Sequence, residues 1–130
     1  MKYGSIILEK KDYVDLKRLL NLSEGYKENT RKYSIDRLKE ELNQAIIAED
    51  KDVPVDVIRF NSLVTVATND GWENSFELVL PEESDLKTNK ISILTPMGLA
   101  VIGYAESDII DWEFPGGKKS LHIKRVKQKN

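Results

Sequence analysis

The chain has 130 residues, of which 40% are hydrophobic and 32% charged, with a net charge of -2 and no cysteine. That composition excludes an intrinsically disordered chain, a disulfide framework and thiolate chemistry, and the near-balanced charge selects no partner class. The opening MKYGSIILEK holds an apolar run too short for a secretory signal, and no later stretch approaches a membrane span, so the sequence predicts a cytoplasmic protein.

In chain order, residues 12–49 have a helical rhythm. A first helix is predicted from Asp12, a good N-cap residue, to Leu22, with Val14, Leu16, Leu19 and Leu20 as its apolar positions. A second is predicted to start between Thr30 and Ser34 and to end near Glu49. Its residues Ile35, Leu38, Leu42 and Ala45 form an a/d-like stripe. The polar SEGYKENTRK between them reads as a turn, giving a short antiparallel helical hairpin. The same stripe would serve equally well packed on the main core. Pro54 breaks the pattern within KDVPVD and places a boundary there. Residues 1–52 are then a helical unit and residues 53–130 a second domain.

From Ile58 onward the period is that of strands. SLVTVAT at 62–68 alternates and is β-branched. Asn69-Asp70-Gly71 signals a hairpin, followed by a strand over 75–80 with Phe76, Leu78 and Leu80 on one face. An acidic loop covers 81–89. Further strands are expected at 90–94, 109–114 and 120–126, the last two joined by Pro115-Gly116-Gly117. Between the third and fourth strands stands ILTPMGLAVIG. Thr95 suits an N-cap, Pro96 the first helical position and Gly103 the C′ position, predicting a helix over 96–102 with Leu99 and Ile102 facing the sheet. Such a helix N-terminus is also a candidate anion receptor. The expected class is α+β: about five mostly antiparallel strands with one short helix on a face.

Charge is segregated along the chain. Residues 72–115 are acidic, relieved only by Lys87 and Lys90, whereas the last residues, KKSLHIKRVKQKN, contain no acid. The basic end reads as a solubilising edge strand more readily than as a nucleic-acid patch, which would call for aromatics or a fold signature. His122 alternates away from Leu121 and Ile123 and is expected to face solvent.

The ordered set ISILTPMGLAVIGYAESDIIDWEFPGGKKSLHI, with NSLVTV at 61–66, resembles the C-terminal domain of the Gre transcript-cleavage factors over about residues 55–127. The N-terminal part, SIILEKKDYVDLKRLL and LKEELNQAIIAEDKDVPVDVIRFNS, resembles the short-armed branch of that family, the regulator of nucleoside diphosphate kinase type. The resemblance implies an FKBP-like C-terminal domain. It also implies a bacterial RNA polymerase partner, met at the rim of the secondary channel. The docking surface carried over is the corner Leu94, Thr95, Pro96 and Met97, where Leu94 replaces the acid of some Gre proteins. Cleavage-active Gre proteins carry Asp-Leu-Ser-Glu at the coiled-coil tip, and carboxylates there suit Mg²⁺. Here the matching stretch is Asn21-Leu22-Ser23-Glu24, with Asn21 in place of the first acid. The implied protein is a non-catalytic transcription regulator without cofactor, metal, membrane or sequence-specific nucleic-acid contact. Its oligomeric state is open. The other readings are a prolyl isomerase using Trp72, Phe76, Tyr104, Trp112 and Phe114, a polymerase-independent adaptor in nucleotide metabolism, and a weak cleavage-stimulating elongation factor.

Overall fold

The computed structural model describes residues 1–22, 29–114 and 117–129. Strand β1 (Ile7–Glu9) runs directly into helix α1 (Lys10–Leu22). The Glu9 carboxylate accepts from the backbone N–H groups of Lys11 at 2.6 Å and Asp12 at 3.3 Å, so the cap lies three residues before the expected Asp12. Asp12 instead turns toward Arg59, 3.8 Å away.

Helix α2 (Asn29–Leu42) is shorter than predicted. The N–H groups of Asn43 and Gln44 reach back only three residues, to the carbonyls of Glu40 and Glu41, which tightens and ends the helix. The segment expected to continue it forms strand β2 (Ile46–Ala48), parallel to β1 with Ile7 opposite Ile46. The β-branched pair Ile46-Ile47 favours this extended form, and its partner lies far upstream, beyond any local periodicity. On its other side β1 is held by Ile7 N–H donating to the Gly103 carbonyl at 3.1 Å.

The remaining strands, β3 (Leu63–Thr68), β4 (Glu73–Val79), β5 (Lys90–Ser92), β6 (Ile109–Phe114) and β7 (Gly117–Lys127), form one sheet in the order β5-β4-β3-β7-β6. All neighbours are antiparallel except β4 and β5, which are parallel. The β3–β4 turn is the predicted one, with Gly71 at φ +92°. Strand β5 stops at Ser92 rather than Leu94, because the Ser92 hydroxyl captures the Leu94 N–H at 3.0 Å. Pro115 and Gly116 of the expected last turn lie outside the described residues. His122 meets solvent, with Nε2 2.9 Å from the Asn69 side-chain oxygen.

One face of the sheet, carrying Val64, Val66, Phe76, Leu78, Ile110, Leu121 and Ile123, is buried under helix α3 (Pro96–Val101) and the N-terminal helices. Leu16 and Leu20 of α1 and Ile35, Leu38 and Leu42 of α2 belong to the same apolar cluster. The α2 stripe therefore faces the main core.

Trp112 of β6 anchors α2. Its ring is 2% exposed, and its indole N–H donates to Ser34 Oγ at 3.0 Å. Tyr33 meets it edge-on with centroids 5.9 Å apart, and the Arg37 guanidinium lies 4.4 Å over it. Arg37 also donates to the Asp111 carbonyl on the free edge of β6 and pairs with Glu41 at 3.5 Å. Burial pushes the Glu41 carboxyl pKa upward against the opposing pull of Tyr104 and Arg37. Among the described residues, no helix is long and apolar enough to cross a membrane.

Asp12 marks the seam between α1 and the segment that leads into β3. Burial, and then the charge of Glu9, push its carboxyl from 3.8 up to about 6, against Arg59 and a hydrogen bond from the Phe60 backbone. Between those two pH values the folded state holds the proton and the unfolded chain has lost it, so this group's contribution to stability falls as pH rises through the window. Asp12→Asn is expected to stabilise the protein by about 1–2 kcal/mol at pH 7, a figure reduced for partial solvent screening, and by nothing below pH ~4. Urea denaturation at pH 4 and pH 7 checks this.

Candidate functional site

The corner between β5 and α3 is built from two interlocked hydroxyl groups. Thr95 N–H donates to the Ser92 carbonyl at 3.1 Å, and the Thr95 hydroxyl donates to that same carbonyl at 2.8 Å. As an acceptor, the Thr95 hydroxyl takes the Gly98 N–H at 3.1 Å, making Thr95 the N-cap that its residue type predicts. Pro96 fills the first helical position, where a missing N–H leaves nothing unpaired. The Leu99 N–H closes the first turn on the Thr95 carbonyl at 2.9 Å. Of the first-turn residues, Pro96 has no N–H and the Gly98 N–H is taken by Thr95, so this helix of six residues retains little of the anion receptor the sequence suggested.

The side chains divide accordingly. Leu94 and Met97 are partly buried and packed against the core, each leaving part of its surface free. Thr95 and Pro96 are likewise half-exposed. The four predicted docking residues therefore stand together as one ridge of mixed apolar and polar edges, fixed by backbone hydrogen bonds. Exposed Glu82, Glu83 and Asp85 belong to the loop leading into β5, and Asp85 exchanges backbone hydrogen bonds with Lys90 at 2.9 Å in both directions.

Gly98 and Gly103 carry constraints on this corner that residue-type reasoning only half found. A Cβ on Gly98 would lie 2.5 Å from the Ser92 carbonyl oxygen and 2.8 Å from Ile93 Cα, so α3 passes over the strand end with backbone against backbone. Gly103 adopts φ +82°, as a C′ residue should, and a Cβ there would meet Ile6 Cβ at 2.8 Å. The need at Gly103 was readable from its place after the helix. The need at Gly98 was not, because it arises from the crossing of two segments.

Among the described residues, no hydrogen bond or ion pair joins the other predicted groups to this corner. Asn21 is exposed in the last turn of α1, while Ser23 and Glu24 lie outside the described residues. Of the aromatic side chains considered for a proline-binding cleft, Phe76, Tyr104 and Trp112 are buried at 5% exposure or less, and Trp72 stands exposed at the β3–β4 turn. They do not converge on an open cleft.

Comparison with known families matches residues 53–128 to "Transcription elongation factor, GreA/GreB, C-term". The chain belongs to the GreA/GreB family. The transcription elongation factor GreA of Rhodospirillum rubrum is 31% identical over 94 residues, covering 72% of this chain and 60% of that protein. GreA of Brucella anthropi is 31% identical over 120 residues, covering 92% of this chain and 71% of the relative. A solved GreA/GreB transcription elongation factor from Nitrosomonas europaea superposes with a TM-score of 0.73 at 31% identity, over 95% of this chain and 98% of that one. The chain thus spans about 60% of the length of the Rhodospirillum relative and nearly all of the Nitrosomonas structure. The corner at 92–98 lies inside the matched GreA/GreB segment.

Gly98→Ala should destabilise the protein by about 2–4 kcal/mol, since neither colliding atom is the end of a flexible side chain. Thr95→Ala should cost about 1 kcal/mol and Thr95→Ser much less, because serine keeps the hydroxyl. Chemical denaturation of the three variants tests both statements.

Proposed function

We propose that this protein is a transcription regulator that binds bacterial RNA polymerase at the rim of its secondary channel through the Leu94–Met97 corner, and that it does so without stimulating transcript cleavage. Family membership supports the polymerase partner, and the relatives' names describe transcription elongation factors. The docking role rests on the form of the corner: a turn locked by Ser92 and Thr95 presents partly free Leu94 and Met97 without needing to reorganise on binding.

The observation that carries the non-cleaving reading is the anchoring of the arm. Its base is closed by the parallel pairing of β1 with β2, which bounds the arm inside the chain at both ends. Helix α1, with 13 residues, spans about 20 Å. Helix α2 is held down on the sheet by Trp112, Ser34 and Arg37. An arm so short and so fastened does not carry carboxylates deep into a partner's active centre, and Asn21 supplies an amide where a charged oxygen ligand would bind Mg²⁺ more strongly. These features fit the short-armed, regulator of nucleoside diphosphate kinase branch of the family, with an FKBP-like sheet-and-helix unit, acting in the cytoplasm by occupying the channel entrance.

The wild-type protein is expected to co-migrate with core polymerase. Thr95→Glu should weaken that association roughly tenfold or more, while Thr95→Ser retains it. Unchanged affinity of a folded Thr95→Glu variant would remove the corner from the interface. Added to a backtracked elongation complex, the protein should release no short RNA beyond that released by polymerase alone. Mg²⁺-dependent release would overturn the non-cleaving assignment.

A further inference from the structure

The side of the sheet opposite α3 holds a second surface, which the reading above does not use. Leu63, Thr65, Ser75, Glu77, Arg125 and Lys127 share this side. Cross-strand pairing sets Lys127 and Glu77 on either side of Leu63, and Arg125 and Ser75 on either side of Thr65. Together they line one shallow depression.

The cations are there because of a bulge. The register of β7 against β3 shifts between Thr65 and Val66, which leaves Lys124 without a partner. Strict alternation after buried Ile123 would send Arg125 inward and Val126 outward. The extra residue restores Val126 to the core and turns both Lys124 and Arg125 to solvent. Lys124, Arg125 and Lys127 are exposed, and none forms an ion pair with a described residue. Lys119 and Lys129, by contrast, are paired to Asp70 and Glu77, each at 3.2 Å. The carboxylate in the depression, Glu77, is 8% exposed and already neutralised by Lys129.

We propose that this outer sheet face is a docking site for an extended acidic peptide segment of a protein partner, with Arg125 and Lys127 receiving carboxylates and Leu63 receiving an apolar side chain. Spacing carries the argument: residues two apart on a strand repeat every ~6.8 Å, so carboxylates at i and i+2 of an extended peptide match Arg125 and Lys127. The Arg125 guanidinium adds a fork suited to a carboxylate. Leu63 is 43% exposed beside these charges, and the Thr65 and Ser75 hydroxyls, bonded to each other at 2.8 Å, leave one O–H donor between the strands. A nucleic acid is the poorer fit. The aromatic ring in the depression, Phe76, is 2% exposed and presents no face for base stacking, and apolar Leu63 stands where phosphates would lie.

The test titrates the full chain with a synthetic peptide of alternating glutamate and leucine, and separately with oligothymidylate, following backbone amide shifts. The peptide should move the resonances of Leu63, Thr65, Ser75 and Arg125. The doubly reversed variant Arg125→Glu/Lys127→Glu should bind it at least ~10-fold more weakly. Lys10→Glu/Lys11→Glu, an equal charge change on α1, should bind as wild type. Both pairs are solvent-exposed, and circular dichroism confirms that each variant is folded. Shifts mapping elsewhere, equal losses in the two variants, or tighter binding of oligothymidylate at these same residues would each overturn the proposal.

Discussion

A helix of six residues spans about 9 Å, whereas five strands side by side span about 19 Å. Helix α3 therefore cannot cover the apolar face of its own sheet. Helices α3 and α2 both lie against β6, where Trp112 and Ile110 are buried. Leaving one large aromatic exposed costs about 2–3 kcal/mol, a sizeable share of the stability of a domain this size. Helices α1 and α2 meet this demand with Leu16, Leu20, Ile35, Leu38 and Leu42. The N-terminal segment is thus a wall of the core, and its posture follows from what it covers. Polar contacts then select one seating among many greasy ones. The Ser34 hydroxyl satisfies the indole N–H, and Arg37 occupies the carbonyl that the edge strand leaves open.

The reading from sequence succeeded where structure is decided locally. Thr95 capping, Pro96 opening and Gly103 closing α3 depend on neighbours within a turn, and residue type reports them directly. The hairpin at Asn69–Gly71 and the bounds of β6 were recovered for the same reason. The misses involve distant partners. Strand β2 takes its partner from the first ten residues, across both helices, so its extended form looked like the end of α2. Glu9 displaced Asp12 as the cap of α1 because Asp12 is drawn to Arg59, nearly fifty positions on. The close approach at Gly98 and the bulge at Lys124 are products of one segment crossing or pairing with another, and nothing in a neighbouring residue announces them. At the candidate site, the capping by Thr95 and the opening by Pro96 were legible from residue type, whereas the docking role of Leu94–Met97 came only from the family resemblance, and the parts that Ser92 and Gly98 play in fixing the turn had no local signal.

The same division bears on how the two surfaces can operate. The corner belongs to the core side of the sheet, because Leu94 and Met97 pack into the cluster beneath α3. The Arg125–Lys127 face belongs to the opposite side, set there by the phase of β7. Strand β7 has Leu121, Ile123 and Val126 turned toward the core and its cations turned away. A partner seated at the corner therefore does not cover the outer face. Two ligands held in this way would compete only if one of them were bulky enough to reach around a sheet edge; β6, which pairs with residues 117–122 of β7, is held by α2 through Arg37 at Asp111. The two proposed sites thus lie on opposite faces of one sheet, and occupancy of one would not by itself exclude the other.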